Sequence, residues 1–107
     1  MFSFRKELIL HEPFIEWLEK LKDRKARAII HKRLDRLSCG LAGKCKPVGE
    51  GIFELKIFHG PGYRIYFSLE EGDILILLWG GDKSTQKRDI KKAQEFLTDY
   101  ERSKKDP

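Results

Sequence analysis

One arginine stands inside an apolar, strand-like run, Tyr63-Arg64-Ile65-Tyr66-Phe67, directly after Gly60-Pro61-Gly62. A second apolar run then delivers a polar loop, Gly80-Gly81-Asp82-Lys83-Ser84-Thr85-Gln86-Lys87-Arg88. A strand arginine among apolar neighbours needs an anion, because a buried charge without a partner is costly. Together the two segments read as a basic site on one sheet, suited to gripping phosphate. Backbone N–H groups at a helix N-terminus favour phosphate, and Lys83, Lys87 and Arg88 add full charges. The same loop has plainer uses: Ser84 or Thr85 suits a helix cap, and Gly80-Gly81 fits any strand-to-helix turn. His59, at the tip of the preceding hairpin, is a residue type suited to proton transfer near neutral pH. A turn histidine is more often solvated and idle.

Strand alternation sorts the side chains that share a surface. Phe53, Leu55 and Ile57 fall on one face of their run, and Ile52, Glu54, Lys56 and Phe58 on the other. In the next run Ile65, Phe67 and Leu69 read as core, while Arg64, Tyr66 and Ser68 point away from it. Lys56, Arg64 and Tyr66 then share one surface, a cation pair with an aromatic ring for a base to stack on. This grouping requires the right parity across Gly60-Pro61-Gly62, since a one-residue slip sends Arg64 to the opposite side; a three-residue connection or a bulge at Gly62 supplies it. Two other readings stay open. Lys56 fits an exposed strand lysine that discourages edge pairing, and Arg64 fits an ion pair with Glu54 across the hairpin.

The elements that position these residues follow from periodicity. Residues 2–10 read as an edge strand. Pro13 suits a first helical turn, and Phe14, Trp17, Leu18 and Leu21 form one helical stripe. Asp23 is placed to cap a second helix with Ala26, Ile30, Leu34 and Leu37 as its buried stripe and Gly40 at its end. Residues 41–51 read as a loop or irregular strand. Three apolar runs follow, 52–59, 63–69 and 73–79, joined by short Gly-bearing connections that imply an antiparallel meander. Residues 89–102 form a closing helix, and 103–107 read as a frayed tail. The expectation is a single α+β domain over 1–107, in the order β-α-α-β-β-β-α. Its antiparallel sheet packs against an N-terminal helical hairpin and a C-terminal helix. With the helices on one face, the other is left as a concave polar surface.

Composition narrows the partners. The chain has 107 residues, 36% of them charged, with a net charge of +5. Such a balance suits an anionic partner, and nucleic acid, an acidic protein and a membrane surface all qualify. Cys39 and Cys45 have no ligand-like spacing to His31 or His59, so no metal or cofactor is expected, and the two read as free thiols. The first residues lack the apolar stretch of a signal peptide, and the run 74–79 is far too short to span a bilayer. A cytoplasmic protein is expected.

The stretches Gly51-Ile52-Phe53-Glu54-Leu55-Lys56-Ile57, Gly60 to Phe67, Leu77 to Gln86, and Asp89-Ile90 with Ala93 resemble the RelE/ParE superfamily of bacterial toxins. Within it they are most similar to the HigB-like branch, also called addiction-module killer or phage-derived Gp49-like proteins. The resemblance implies a toxin of a type II toxin–antitoxin pair that cleaves mRNA on the translating ribosome, without metal, by attack of a ribose 2′-OH on the adjacent phosphate. Basic side chains can stabilise the charged phosphorane of that reaction. By position, Arg64 matches the arginine that grips the scissile phosphate, Lys56 a strand lysine of the same site, and Lys83 a basic residue after the last strand. These three are the expected catalytic residues. Tyr66, His59, Gln86, Lys87 and Arg88 are expected to contact the nucleic acid. Glu54 and Ile90 depart from the pattern, where RelE carries a lysine and a tyrosine, so the general base is left open. The resemblance also implies a cognate antitoxin, commonly a helix-turn-helix protein, through which alone operator DNA is met. It leaves two alternatives: a ParE-type gyrase poison, or a non-catalytic corepressor or binding module.

Overall fold

The computed structural model describes residues 6–41, 43–71 and 74–105. The chain runs through β1 (Glu7–Leu10), α1 (Glu12–Lys20), α2 (Arg24–Ser38), β2 (Cys45–Gly49), β3 (Ile52–Ile57), β4 (Tyr63–Glu70), β5 (Ile74–Asp82), a short 3-10 turn (Lys83–Thr85) and α3 (Gln86–Lys105). The strands form one sheet in the order β1-β5-β4-β3-β2. The expected α+β fold of meander, helical hairpin and closing helix is present.

Local chemistry explains the helices. Pro13 lies in the first turn of α1, where its missing N–H costs nothing. The Asp23 carboxylate accepts from the Ala26 N–H at 3.0 Å and caps α2. At the other end of α2, the Leu41 N–H donates to Arg36 O and the Gly40 N–H to Leu37 O. With Gly40 at φ 82°, this is a Schellman ending. β1 lies at a sheet edge and pairs parallel with β5, so the sheet is mixed rather than wholly antiparallel. The helical hairpin carries the chain from that edge to the far one, and the meander then returns strand by strand to meet β1. The expected start of the first strand, residues 2–5, lies outside the described residues. The segment expected as a loop or irregular strand contains β2, paired with β3 through a shifted register between Pro47 and Gly49. Proline is tolerated there because β2 is an edge.

Two expectations need correction. The helices do not share one face. α1 and α2 bury Phe14, Leu18, Ala26, Ile30, Leu34 and Leu37 against Leu55, Ile57, Ile65, Leu75 and Leu77. α3 buries Ala93 and Leu97 against Ile52, Tyr66, Ile76 and Leu78 on the opposite side. The physical reason lies in the strands: β4 is buried from Tyr63 through Ser68, so both of its faces need a cover. The tail also differs. α3 begins at Gln86 and continues to Lys105, where Lys104 bridges Glu70 at 2.9 Å; only 106–107 lie outside the described residues.

Gly80 and Gly81 take their meaning from this two-sided packing. A Cβ on Gly80 would stand 2.3 Å from the Trp17 ring of α1, and one on Gly81 would stand 2.0 Å from the Asp89 carboxylate of α3. The pair marks close approach from both faces rather than a phosphate loop.

Candidate functional site

The β3–β4 register sets the geometry. Lys56 is directly opposite Arg64, Glu54 opposite Tyr66, and Ile52 opposite Ser68. All six side chains therefore lie on one face, the parity that the sequence required. α3 roofs most of that face. Beyond its N-terminus, a hollow of about 250 Å³ remains, lined by Lys56, Ile57, Phe58, Gly62, Tyr63, Arg64 and Lys83. Three elements thus bring Lys56, Arg64 and Lys83 together: β3, β4 and the turn that follows β5.

Arg64 sits at the inner wall, with its side chain only 10% exposed. Its Nε lies 3.4 Å from Glu54 Oε1, and neither Nε nor Nη1 makes a hydrogen bond. Glu54 is fully buried, and its Oε2 accepts from Gln86 Nε2 at 2.8 Å. The ion pair left open by the sequence is therefore present, and it coexists with an opening onto the hollow. Glu54 offsets part of the guanidinium charge while leaving buried donors unused, an arrangement that favours an incoming anion. Among the described residues, Lys56 and Lys83 form no ion pair. The hollow thus carries an excess of positive charge.

Other expected contact residues divide. Tyr66 is fully buried beneath α3 and presents no ring face to a base, which corrects its reading as a stacking platform. Burial, with the Glu54 and Asp89 carboxylates close by, pushes its phenol well above the ordinary tyrosine range. His59 turns away from the hollow: its Nε2 lies 3.0 Å from Asp23 Oδ2, bridging the hairpin tip to the cap of α2. The Ala26 N–H first, and His59 second, lower the Asp23 carboxyl below its usual range. Gln86 is half-buried and committed to Glu54. Lys87 and Arg88 are exposed and, with Lys83, line a second, wider depression of about 520 Å³. Cys39 and Cys45 are free thiols, and among the described residues no three His, Cys, Asp or Glu side chains cluster as a metal site.

Sequence reasoning missed two roles. Asp89 is a buried carboxylate that accepts from Trp79 Nε1 at 2.9 Å and from the Thr85 hydroxyl, joining β5 to the first turn of α3. A shift in the β4–β5 register beside Trp79 accompanies that contact. Phe58, 75% exposed, lines the hollow beside the three cations. Its position after Lys56 in alternation was the available signal.

Comparison with known proteins agrees with this architecture. Residues 16–99 match the family described as phage derived protein Gp49-like. An uncharacterized protein of Haemophilus influenzae is 52% identical over 81 residues, covering 76% of this chain and 82% of that protein. A free-state structure of a mutant E. coli toxin RelE superposes with a TM-score of 0.63 at 16% identity, covering 81% of this chain and 96% of RelE. The RelBE2 toxin–antitoxin complex from Mycobacterium tuberculosis contributes a chain with a TM-score of 0.58 at 18% identity, covering 74% of this chain and 99% of that one. The fold is thus that of RelE-type toxins. By sequence, the chain belongs to the phage-derived Gp49-like family.

Proposed function

We propose that this protein is the toxin of a type II toxin–antitoxin pair, and that it cuts mRNA on the translating ribosome. The observation that carries the reading is the convergence of Lys56, Arg64 and Lys83 on one hollow, with buried donors of Arg64 unused. The RelE fold supports it, since one structural neighbour is a toxin and another a toxin–antitoxin complex.

In the proposed reaction the ribose 2′ oxygen attacks the adjacent phosphorus as the bond to the 5′ oxygen breaks. The products are a 2′,3′-cyclic phosphate and a free 5′-OH. The 2′ proton passes to a basic group, and a proton is returned to the departing 5′ oxygen. Arg64 faces the non-bridging oxygens, whose charge grows in the transition state. Lys56 and Lys83, the two lysines of the hollow, are the groups in position for the proton transfers. Lys87 and Arg88 extend the positive surface along the strand. No step calls for a metal. A cognate antitoxin of the helix-turn-helix type covers the basic end, operator DNA is met only through it, and the pair works in the cytoplasm. Among the described residues, no helix is long and apolar enough to cross a membrane.

The test is expression in bacteria, with mapping of new mRNA 5′ ends inside reading frames. Cuts that need translating ribosomes are expected. Lys83→Ala, at an exposed position, should slow cutting by about 100-fold or more while leaving the fold intact. Growth arrest with intact mRNA and trapped gyrase–DNA complexes would instead establish a gyrase poison. Antitoxin binding without either effect would leave a corepressor.

A further inference from the structure

Phe58 has no packing role that explains its place. It is 75% exposed, the highest value among the exposed large apolar residues described, and exposing a phenylalanine forgoes roughly 2 kcal/mol of burial. The turn that carries it is nevertheless braced. The His59 N–H donates to Ile57 O at 3.0 Å, the Gly62 N–H donates to His59 O at 3.1 Å, and the His59 ring holds Asp23. The ring of Phe58 is therefore presented by a fixed loop, beside a hollow whose other walls are Lys56, Arg64 and Lys83.

Cations next to an exposed aromatic face match the chemistry of a nucleotide: phosphate on the charges, base on the ring. We infer that Phe58 is the base-stacking residue of this site, taking the face of the nucleobase next to the phosphate held by Arg64. This inference rests on the reading that the hollow takes single-stranded RNA. It moves the stacking role from the buried Tyr66 to a residue already in the open. Stacking tolerates every base, so Phe58 contributes affinity and placement of the scissile phosphate rather than strict sequence choice.

The experiment uses the full chain and an uncleavable, 2′-O-methylated single-stranded RNA, with an abasic chain of equal length as control. Binding is followed by anisotropy over a range of salt. Phe58→Ala should weaken RNA binding by about 5- to 100-fold with an unchanged salt dependence, because no charge is lost. Lys83→Ala should lower the salt slope by about 0.7. The abasic chain should bind Phe58→Ala and the parent protein equally. Phe58→Trp should retain affinity, and its added indole emission should be quenched by the RNA. Equal RNA binding by Phe58→Ala and the parent overturns the inference, as does an equal loss for the abasic chain. Loss of the antitoxin complex with RNA binding preserved overturns it in favour of a protein contact. If the parent protein binds no RNA, the reading of the hollow fails first, and the two failures are thereby distinguished.

Discussion

The two faces of the sheet are held by different means. Under α1 and α2 the contacts are apolar: Phe14, Ile30 and Leu34 against Leu55, Ile65 and Leu77. Under α3 the contacts change along the strands. Ala93 and Leu97 meet Ile52, Ile76 and Leu78, and then Glu54, Arg64, Tyr66, Gln86 and Asp89 take over toward the hollow. An apolar face can be sealed completely, because burial itself stabilises it. A face that must keep cations beside an opening needs buried polar partners to hold them. Glu54 on β3, held by Gln86 from the first turn of α3, is such a partner, and the hollow lies beyond the N-terminus of that turn.

The largest test of this contrast is removal of one polar partner. Glu54→Ala strands the Arg64 guanidinium and should destabilise the fold by about 3–5 kcal/mol, read from the denaturant midpoint. Leu55→Ala, the next residue and on the apolar face, should cost about 2–5 kcal/mol by leaving a cavity. The two losses are similar in size but not in remedy. Replacing Glu54 and Arg64 together by leucine should recover most of the stability and abolish the proposed mRNA cutting. If the double change stays as unstable as Glu54→Ala, the ion pair is not what holds that face.

Gly80 and Gly81 probe both faces from adjacent positions. Each substitution by alanine should cost about 1–3 kcal/mol through overpacking. Gly80→Ala displaces the Trp17 ring, whereas Gly81→Ala displaces Asp89 and breaks its bond to Trp79. Single-tryptophan variants would show which indole changes its emission. Identical spectral changes would argue against separate packing on the two sides.

Two pH effects are smaller. Tyr66 stays neutral in the folded protein above the pH at which it ionises in the unfolded chain. The unfolded state therefore loses its proton first, and stability falls as pH rises through about 10 and beyond. Tyr66→Phe should remove the latest-ionising phenol from an ultraviolet titration. At the acid end, the lowered Asp23 carboxyl contributes stability that is present above about pH 4 and lost as pH falls through its depressed value. Asp23→Asn should flatten that slope and loosen the hairpin tip, visible as faster amide exchange at His59.

Much of this was legible in the residues. Helical stripes gave α1, α2 and α3, because amphipathic periodicity is a local property. Alternation put Lys56 and Arg64 on one side, and the register agrees. The cover over that side was not legible. Tyr66 and Ser68 read as outward because they alternate with Ile65 and Phe67, yet alternation separates two faces without saying which is solvated. β1 beside β5 was equally hidden, since strand partners distant in sequence leave no local mark. His59 looked available because its partner, Asp23, belongs to another element.

That edge pairing has a consequence for synthesis. β1 is the first described strand to emerge from the ribosome, and its neighbour in the sheet is the last. Until Leu77 is out, the opening strand has no complete strand to pair with, and the strand edge it will cover is not yet made. Gln86, which steadies Glu54 and through it Arg64, arrives later still. A growing chain therefore completes its sheet and its basic hollow together, only once β5 and the start of α3 have been made, and a product terminated before that point would have neither.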